Sequence, residues 1–213
     1  MLAAAELAAH PATVLILGGI IAGILRGRFA SAVMVIAPVM GLWLVSQMEV
    51  GATSTMVLFG QEIISVAVDR QAILFGYLFH IAALVAGLYS FHVRDPWQLS
   101  MGLLYAATAV GVAFAGDLLS LFLWWEGLAI TSVFQIWGRK TKRAEKSGFR
   151  YLFFHVTSGL LLLAGIVFRY HAVGGPEAFA MVPLTEALEA GDLGATLILL
   201  AIGIKAAFPG LHV

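Results

Sequence analysis

Two ionisable side chains lie inside apolar stretches of this 213-residue chain and are the first candidates for chemistry. Glu126 lies near the middle of Leu118 to Trp137, a run long enough to cross a bilayer as a helix. Its helical neighbours are all apolar: Leu119, Phe122, Leu123, Ala129, Ile130 and Val133. A carboxylate at that depth costs roughly 2.5–3.5 kcal/mol on insertion scales. An intramembrane acid is therefore a candidate functional residue, and it requires a partner.

Lys205 is the candidate partner, because it lies in a second apolar stretch, Leu197 to Ala207. Pro209 follows four residues later, and proline has no N–H, so the carbonyl of Lys205 loses its helical hydrogen bond. Irregular backbone at membrane depth occurs where protein or water covers it. Our hypothesis is that Glu126 and Lys205 are two stations on a proton route.

Composition indicates an all-α integral membrane protein. The chain is 61% hydrophobic and 11% charged, whereas a soluble domain carries about 25% charged residues. The sequence contains no cysteine, which excludes disulfides and cysteine-ligated metal sites or clusters within it. The formal net charge is zero, no phosphate-binding glycine loop occurs, and the histidines lack metal-ligand spacing. We therefore expect no bound metal or cofactor and no nucleic-acid partner.

Hydropathy predicts about seven transmembrane helices, at 11–25, 29–47, 71–92, 99–116, 118–138, 150–170 and 193–211. No basic residue precedes the first apolar run, so we expect a retained helix there and not a cleaved signal peptide. Between the second and third spans, Ser54 to Leu58 and Gln61 to Val68 predict a small extramembrane hairpin around Phe59-Gly60.

The basic residues predict the orientation of these spans. With the N-terminus outside, nine of the twelve lysines and arginines fall in inside loops, whereas the reverse threading violates the positive-inside rule. The nine are Arg26, Arg28, Arg94, Arg139, Lys140, Lys142, Arg143, Lys146 and Arg150. We expect a multi-pass protein of the cell (inner) membrane whose basic loops, including the loop before the sixth span, are cytoplasmic.

Other side chains in the spans allow two interpretations. His80, near the centre of the third span, is either hydrogen-bonded in the bundle, which is the commoner case, or a participant in proton transfer. The tryptophans Trp43, Trp124 and Trp125 are interpreted as packing residues of the bundle.

Two motifs resemble those of a known family. The run from Asp117 to Glu126, DLLSLFLWWE, looks like the "DLL-x-LF-x-x-WE" signature of the proton-conducting antiporter-like membrane subunits. The run from Gly203 to His212, GIKAAFPGLH, looks like their "G-x-K-x-x-x-P-x-x-H" signature. Such subunits occur in Mrp-type cation/proton antiporters, in complex I and in related membrane hydrogenases. The resemblance covers roughly residues 69–213, and more loosely the first two spans.

The resemblance implies a fold and a set of residue roles. The chain would be the N-terminal part of an antiporter-like subunit of about 14 helices with inverted repeats. Residues 1–70 would hold the first two helices and an external loop, and residues 71–213 would hold helices three to seven with a first half-channel repeat that stops short at Val213. Lys205 would hold and release a proton, and Glu126 would tune its proton affinity by proximity. His212 would continue the proton route beyond Lys205. Arg150 matches, more weakly, a position at which the family often has a basic residue. The resemblance implies no role for His155.

Three functions remain open at this point. The first is an ion-translocating subunit of a multisubunit Mrp-type Na⁺/H⁺ antiporter, favoured by resemblance around residues 69–90 and at Trp124-Trp125. The second is a proton-pumping membrane subunit of complex I, an NADH:quinone oxidoreductase, or of a related membrane hydrogenase. Both imply other membrane subunits as partners, protons as cargo, Na⁺ as well in the first, and no catalytic chemistry in this chain. The third is a non-conducting assembly subunit, which a buried Glu126 salt-bridged to a fixed basic residue would support.

Overall fold

The computed structural model describes residues 10–58 and 60–208. In these ranges the helices are α1 (Thr13–Ile24), α2 (Arg28–Ser46), α3 (Arg70–Tyr89), α4 (Pro96–Phe114), α5 (Leu118–Trp137), α6 (Lys142–Val173), α7 (Leu184–Glu189) and α8 (Leu193–Lys205). Single 3₁₀ turns cover Ser90–His92 and Pro176–Phe179, and two strands, β1 (Thr53–Leu58) and β2 (Gln61–Ala67), lie between α2 and α3.

The helix pattern confirms the predicted all-α integral membrane fold. Five helices, α2 to α6, are long and apolar enough to cross a membrane, while α1 and α8 are shorter apolar helices. Each of the seven predicted spans overlaps one of these seven helices. The described part of α8 ends at Lys205, and Pro209, at which we expected the helix to break, lies outside the described residues.

Short polar residues explain where most of these helices begin. The side chains of Asp69, Asp95 and Asp192 each accept a hydrogen bond from a backbone N–H in the first turn of α3, α4 and α8. Thr141 does the same for α6, and Asp117 forms a reciprocal capping box with Ser120 at the start of α5. These caps satisfy N–H groups that have no helical partner, so each apolar run starts at a defined residue.

The basic segment before the sixth span was predicted to be a loop, and this was wrong. Helix α6 begins at Lys142 and runs for 32 residues, so only the four residues from Gly138 to Thr141 separate it from α5. Lysine, arginine and glutamate are good helix formers, and the Thr141 cap provides the start. The first three turns of α6 therefore carry an exposed basic surface, and Arg150 lies on it.

The predicted hairpin is confirmed, and Asp117 connects it to the bundle. Strands β1 and β2 are antiparallel, with Leu58 opposite Gln61 and a register irregularity between Ser54 and Thr55. A carboxylate oxygen of Asp117 accepts the backbone N–H of Ile64 in β2 at 2.5 Å, and Asp117 is 3% exposed. One aspartate therefore caps α5 and holds the hairpin over that end of the helix.

Two apolar cores fill the bundle. The first joins residues of α1 to α4, including Leu15, Val45 and Phe114, and the second joins α5, α6 and α8 through Leu162, Ile166 and Ile198. Trp43 is an exception to the predicted packing of the tryptophans, because 62% of it is exposed on α2. It lies on an outward face of the bundle, where an apolar ring contacts lipid as favourably as protein.

Helices α6 and α8 pack most closely, because glycines face each other where they cross. A Cβ on Gly165 would lie 2.7 Å from the carbonyl oxygen of Gly194, and a Cβ on Gly194 would lie equally close to the carbonyl of Gly165. Near this crossing, Arg169 forms an ion pair with Asp192 at 2.6 Å. This pair fixes the position of α8 along α6, and thus the depth of Lys205.

Candidate functional site

Lys205, the last residue of α8, reaches across to α5. Its Nζ donates a hydrogen bond to the carbonyl oxygen of Trp125 at 2.7 Å and lies 4.4 Å from the centroid of the Trp125 ring. A carbonyl oxygen has two lone pairs and can accept such a donor beside a helical N–H, and the face of an indole attracts a cation. The ammonium is therefore held by groups that carry no net charge.

Glu126 follows Trp125 directly, so the carboxylate and the ammonium lie in the same part of the bundle. Their charges act on each other, yet no Glu126–Lys205 ion pair occurs within 4.0 Å. Oε1 of Glu126 is buried and has no hydrogen-bond partner among the described residues. A buried carboxylate oxygen without a donor is costly, and a proton on that oxygen would relieve the cost.

Gly159 of α6 provides the space for this carboxylate. A Cβ on Gly159 would overlap Oε1 of Glu126 and would lie 2.7 Å from the carboxyl carbon. The absence of a side chain at this one position therefore lets Glu126 point into the interface between α5 and α6. This residue was missed from the sequence, where a glycine in a membrane helix is too common to single out.

Ser158 holds the surrounding helices together. Its Oγ donates to the carbonyl oxygen of Ala201 in α8 at 2.8 Å and accepts from Nε1 of Trp125 at 3.2 Å. Ser158 is completely buried, and Trp125 is 8% exposed. The prediction that Trp125 packs in the bundle is thus correct, but its carbonyl and ring are also direct partners of Lys205.

His155 lies one helical turn before Gly159, on the same face of α6. Its ring packs tilted against Tyr151 with centroids 3.9 Å apart, and its Nδ1 is buried without a partner in the described part of the chain. The hydroxyl groups of Tyr151 and Ser132 are 2.7 Å apart. The charge of Lys205 also acts on His155, so the structure brings a histidine to this site that the sequence motifs did not assign to it.

His80 lies in the other core, away from this cluster. It is fully buried in α3, its Nδ1 contacts the carbonyl oxygen of Gly76 at 2.7 Å, and Gly41 leaves the space for its ring. Its Nε2 has no hydrogen-bond partner among the described residues. The backbone of Pro11 approaches the His80 ring, and the ring of the preceding His10 packs tilted against Trp124 with centroids 4.8 Å apart. Two buried histidines therefore lie in this region, and His10 was not identified from the sequence.

The remaining predicted site residues lie at the edges of this region. Arg150 is exposed and lines a surface groove with other basic residues of α6. His212 lies outside the described residues. Within the described ranges, no group of three or more histidine, aspartate or glutamate side chains is arranged to hold a metal ion.

Comparisons with known proteins find similarity in the segment that contains this cluster. Residues 115–213 match the family model described as NADH:quinone oxidoreductase/Mrp antiporter, TM. This segment contains α5, α6 and α8 and both Glu126 and Lys205. The match therefore covers the three helices that build the cluster described above.

Individual relatives point to the same group. NADH-quinone oxidoreductase subunit N of Deinococcus radiodurans is 24% identical over 155 residues, which are 68% of this chain and 32% of that protein. The structure of the membrane-bound sulfane sulfur reductase (MBS), an archaeal respiratory membrane complex, contains a chain with the same fold. It gives a TM-score of 0.75 at 18% identity, over 93% of this chain and 44% of that chain. The present chain thus spans less than half the length of either protein.

Proposed function

We propose that this chain, which belongs to the family of antiporter-like membrane subunits, carries protons through its membrane by means of Glu126 and Lys205. One observation carries this proposal. Oε1 of Glu126 is buried without a hydrogen-bond partner among the described residues, and the Lys205 ammonium binds the carbonyl oxygen of the preceding residue, Trp125. An ammonium fixed in a full ion pair with a carboxylate would exchange its proton slowly. Here it rests on neutral groups, so either residue can change protonation state with a small rearrangement.

The depth of both residues supports this role. Glu126 lies eight residues after the start of α5 and Lys205 twelve after the start of α8, or about 12 and 18 Å along their helices. An isolated β-bridge between Asp117 and Ala180 places the start of α5 beside the segment that precedes α8. Both side chains therefore lie near the middle of a hydrocarbon layer about 30 Å thick.

The orientation follows the distribution of basic residues. We infer that the hairpin lies outside and that the basic surface at the start of α6 is cytoplasmic. The Glu126–Lys205 cluster would then be reached from the cytoplasm between α5 and α6, along the side chains of Ser132 and Tyr151. The secondary candidates for the proton path, Arg150, His80 and His212, remain proposals. Arg150 would lie at the cytoplasmic mouth of this route.

Replacing Lys205 tests the function directly. In the intact assembly, Lys205→Ala should abolish proton-coupled transport in membrane vesicles while the subunit still co-purifies with its partners. Lys140→Ala removes a lysine that is 77% exposed and lies outside the groove of Arg150, and it should leave transport unchanged. Transport at the parental rate in the Lys205→Ala assembly would refute the proposal.

The assembly that contains the chain has two candidates. An Mrp-type Na⁺/H⁺ antiporter, with proton influx driving sodium efflux, is favoured by the resemblance around Trp124-Trp125. A redox-driven assembly is favoured because both relatives named above come from respiratory systems. Purification from the native membrane followed by mass spectrometry separates them: small antiporter subunits without redox centres support the first, and iron–sulfur or flavin subunits support the second.

A purely structural role receives no support from the site. Such a role predicts Glu126 in a salt bridge to a fixed basic residue, and in the described ranges the carboxylate of Glu126 makes no ion pair. The measurement on Lys205→Ala also decides this alternative, because a non-conducting subunit would tolerate the change.

A further inference from the structure

A line of polar side chains leads from the cytoplasmic half of the bundle to Glu126, and one of its members has no assigned role. Tyr151, His155 and Gly159 follow one another at intervals of four residues and therefore lie on one face of α6. Tyr151 meets the Ser132 hydroxyl of α5 at 2.7 Å, the ring of His155 packs against that of Tyr151, and the Glu126 carboxylate lies against Gly159. This face alternates with exposed apolar positions such as Phe153 and Val156.

We propose that His155 is a third proton-carrying residue of this site, which receives protons from the Tyr151–Ser132 side and passes them to Glu126. This inference rests on the proposed function. In each transfer the neutral imidazole accepts a proton and becomes an imidazolium, and it returns to the neutral form when the proton moves to the carboxylate. The step from His155 to the level of Gly159 is about 6 Å along the helix axis, a distance that one bridging water can span.

The unpaired nitrogen of His155 argues against a purely packing role. Nδ1 is buried without a partner among the described residues, and such a group costs about 1–3 kcal/mol in a folded protein. A leucine or phenylalanine would pack on Tyr151 without that cost. The Tyr151 hydroxyl, in contrast, is satisfied by Ser132.

The charges around His155 give the transfer its direction. The charged groups near His155 are Lys205 from α8 and Glu126 from α5, which lies one turn further along the same face of α6. Tyr105 from α4 contributes a phenol near Tyr151. Two cations in this space repel each other, so the arrival of a proton at His155 favours its departure towards Glu126 or the release of the Lys205 proton. The three residues therefore titrate as a coupled group.

The test compares variants in the intact assembly. His155→Asn keeps a polar group near Nδ1 but cannot titrate, and we expect roughly a 100-fold slower transport, the lower end of what a positioned proton donor contributes. The pH–rate profile should lose one titration step that the parental assembly shows. His92→Asn removes an exposed histidine outside the cluster and should change neither the rate nor the profile.

The outcomes separate this inference from the proposed function. If Lys205→Ala abolishes transport while His155→Asn keeps the parental rate and pH profile, the role of His155 is refuted and the function stands. If Lys205→Ala transports normally, the function itself fails. If His155→Asn does not assemble, Tyr151→Phe decides, because it removes only the hydroxyl. We expect roughly 100-fold slower transport, the lower end of what a positioned proton-transfer group contributes, and an unchanged rate overturns the route.

Discussion

A single methyl group at Gly159 should separate the function of this bundle from its stability. In Gly159→Ala, the new Cβ would overlap Oε1 of Glu126, lie 2.7 Å from the carboxyl carbon and lie 3.2 Å from Oε2. Carbon atoms pack at about 3.5–4.0 Å, so the carboxylate must move by about 1 Å. A displacement of that size at a reacting group costs about 100-fold in rate.

The stability cost of the same change is small. Alanine favours a helix over glycine by about 1 kcal/mol, and overpacking at a tight contact costs about 1–3 kcal/mol. The two effects largely offset each other, because the end of the Glu126 side chain can rotate away while the backbones of α5 and α6 stay in place. We therefore expect a normally assembled complex that transports protons about 100-fold more slowly.

The assay measures both properties on the same preparation. Proton transport is followed with a pH-sensitive dye in vesicles that contain the assembly, and assembly is followed by co-purification of the partner subunits. Gly102→Ala is the matched control, because a Cβ there would meet only the end of the Met34 side chain at 3.7 Å. Gly159→Ala with parental transport would show that the position of the Glu126 carboxylate does not matter, and the reasoning would be wrong.

Two further predictions concern the ends of the bundle. Asp117→Ala removes the acceptor of two backbone hydrogen bonds, from Ser120 and from Ile64. It should lower the free energy of unfolding of the subunit by about 2–3 kcal/mol. Asp117→Asn keeps one acceptor oxygen and should lose about half as much; equal losses would refute the double role. At the other end, the hydrogen bond from Lys140 holds the pKa of Asp95 below its usual range. A lowered pKa stabilises the fold above the unfolded pKa of about 4 and loses this contribution as the pH falls through the folded value. Since Lys140 is 77% exposed, Lys140→Ala should cost at most about 1 kcal/mol at pH 7 and nothing near pH 2, as measured by thermal unfolding at both pH values; an equal cost at both would contradict the linkage.

The sequence by itself determined the membrane class, the position of the spans and the hairpin. Apolar runs of sufficient length are specific to bilayers, and Asp69, Asp95, Asp117 and Asp192 mark helix starts because their short side chains bind free backbone N–H groups. Glu126 and Lys205 were predicted as site residues for a similarly local reason, since an ionisable residue in an apolar run is costly wherever the run packs, and their role stays a prediction. The boundary of α6 was the exception, because a basic segment reads equally well as a loop or as a solvated helical turn.

Only the tertiary structure decided which side chains meet. Lys205 and the Trp125 carbonyl are 80 residues apart, and their contact depends on the rotation and depth of α8 against α5. In a membrane helix both the lipid face and the core face are apolar, so periodicity does not reveal that rotation. The facing glycines Gly165 and Gly194 and the Arg169–Asp192 pair set it instead. The same packing brings His155 within electrostatic reach of Lys205 and the Glu126 carboxylate against Gly159, neither of which a linear pattern contains.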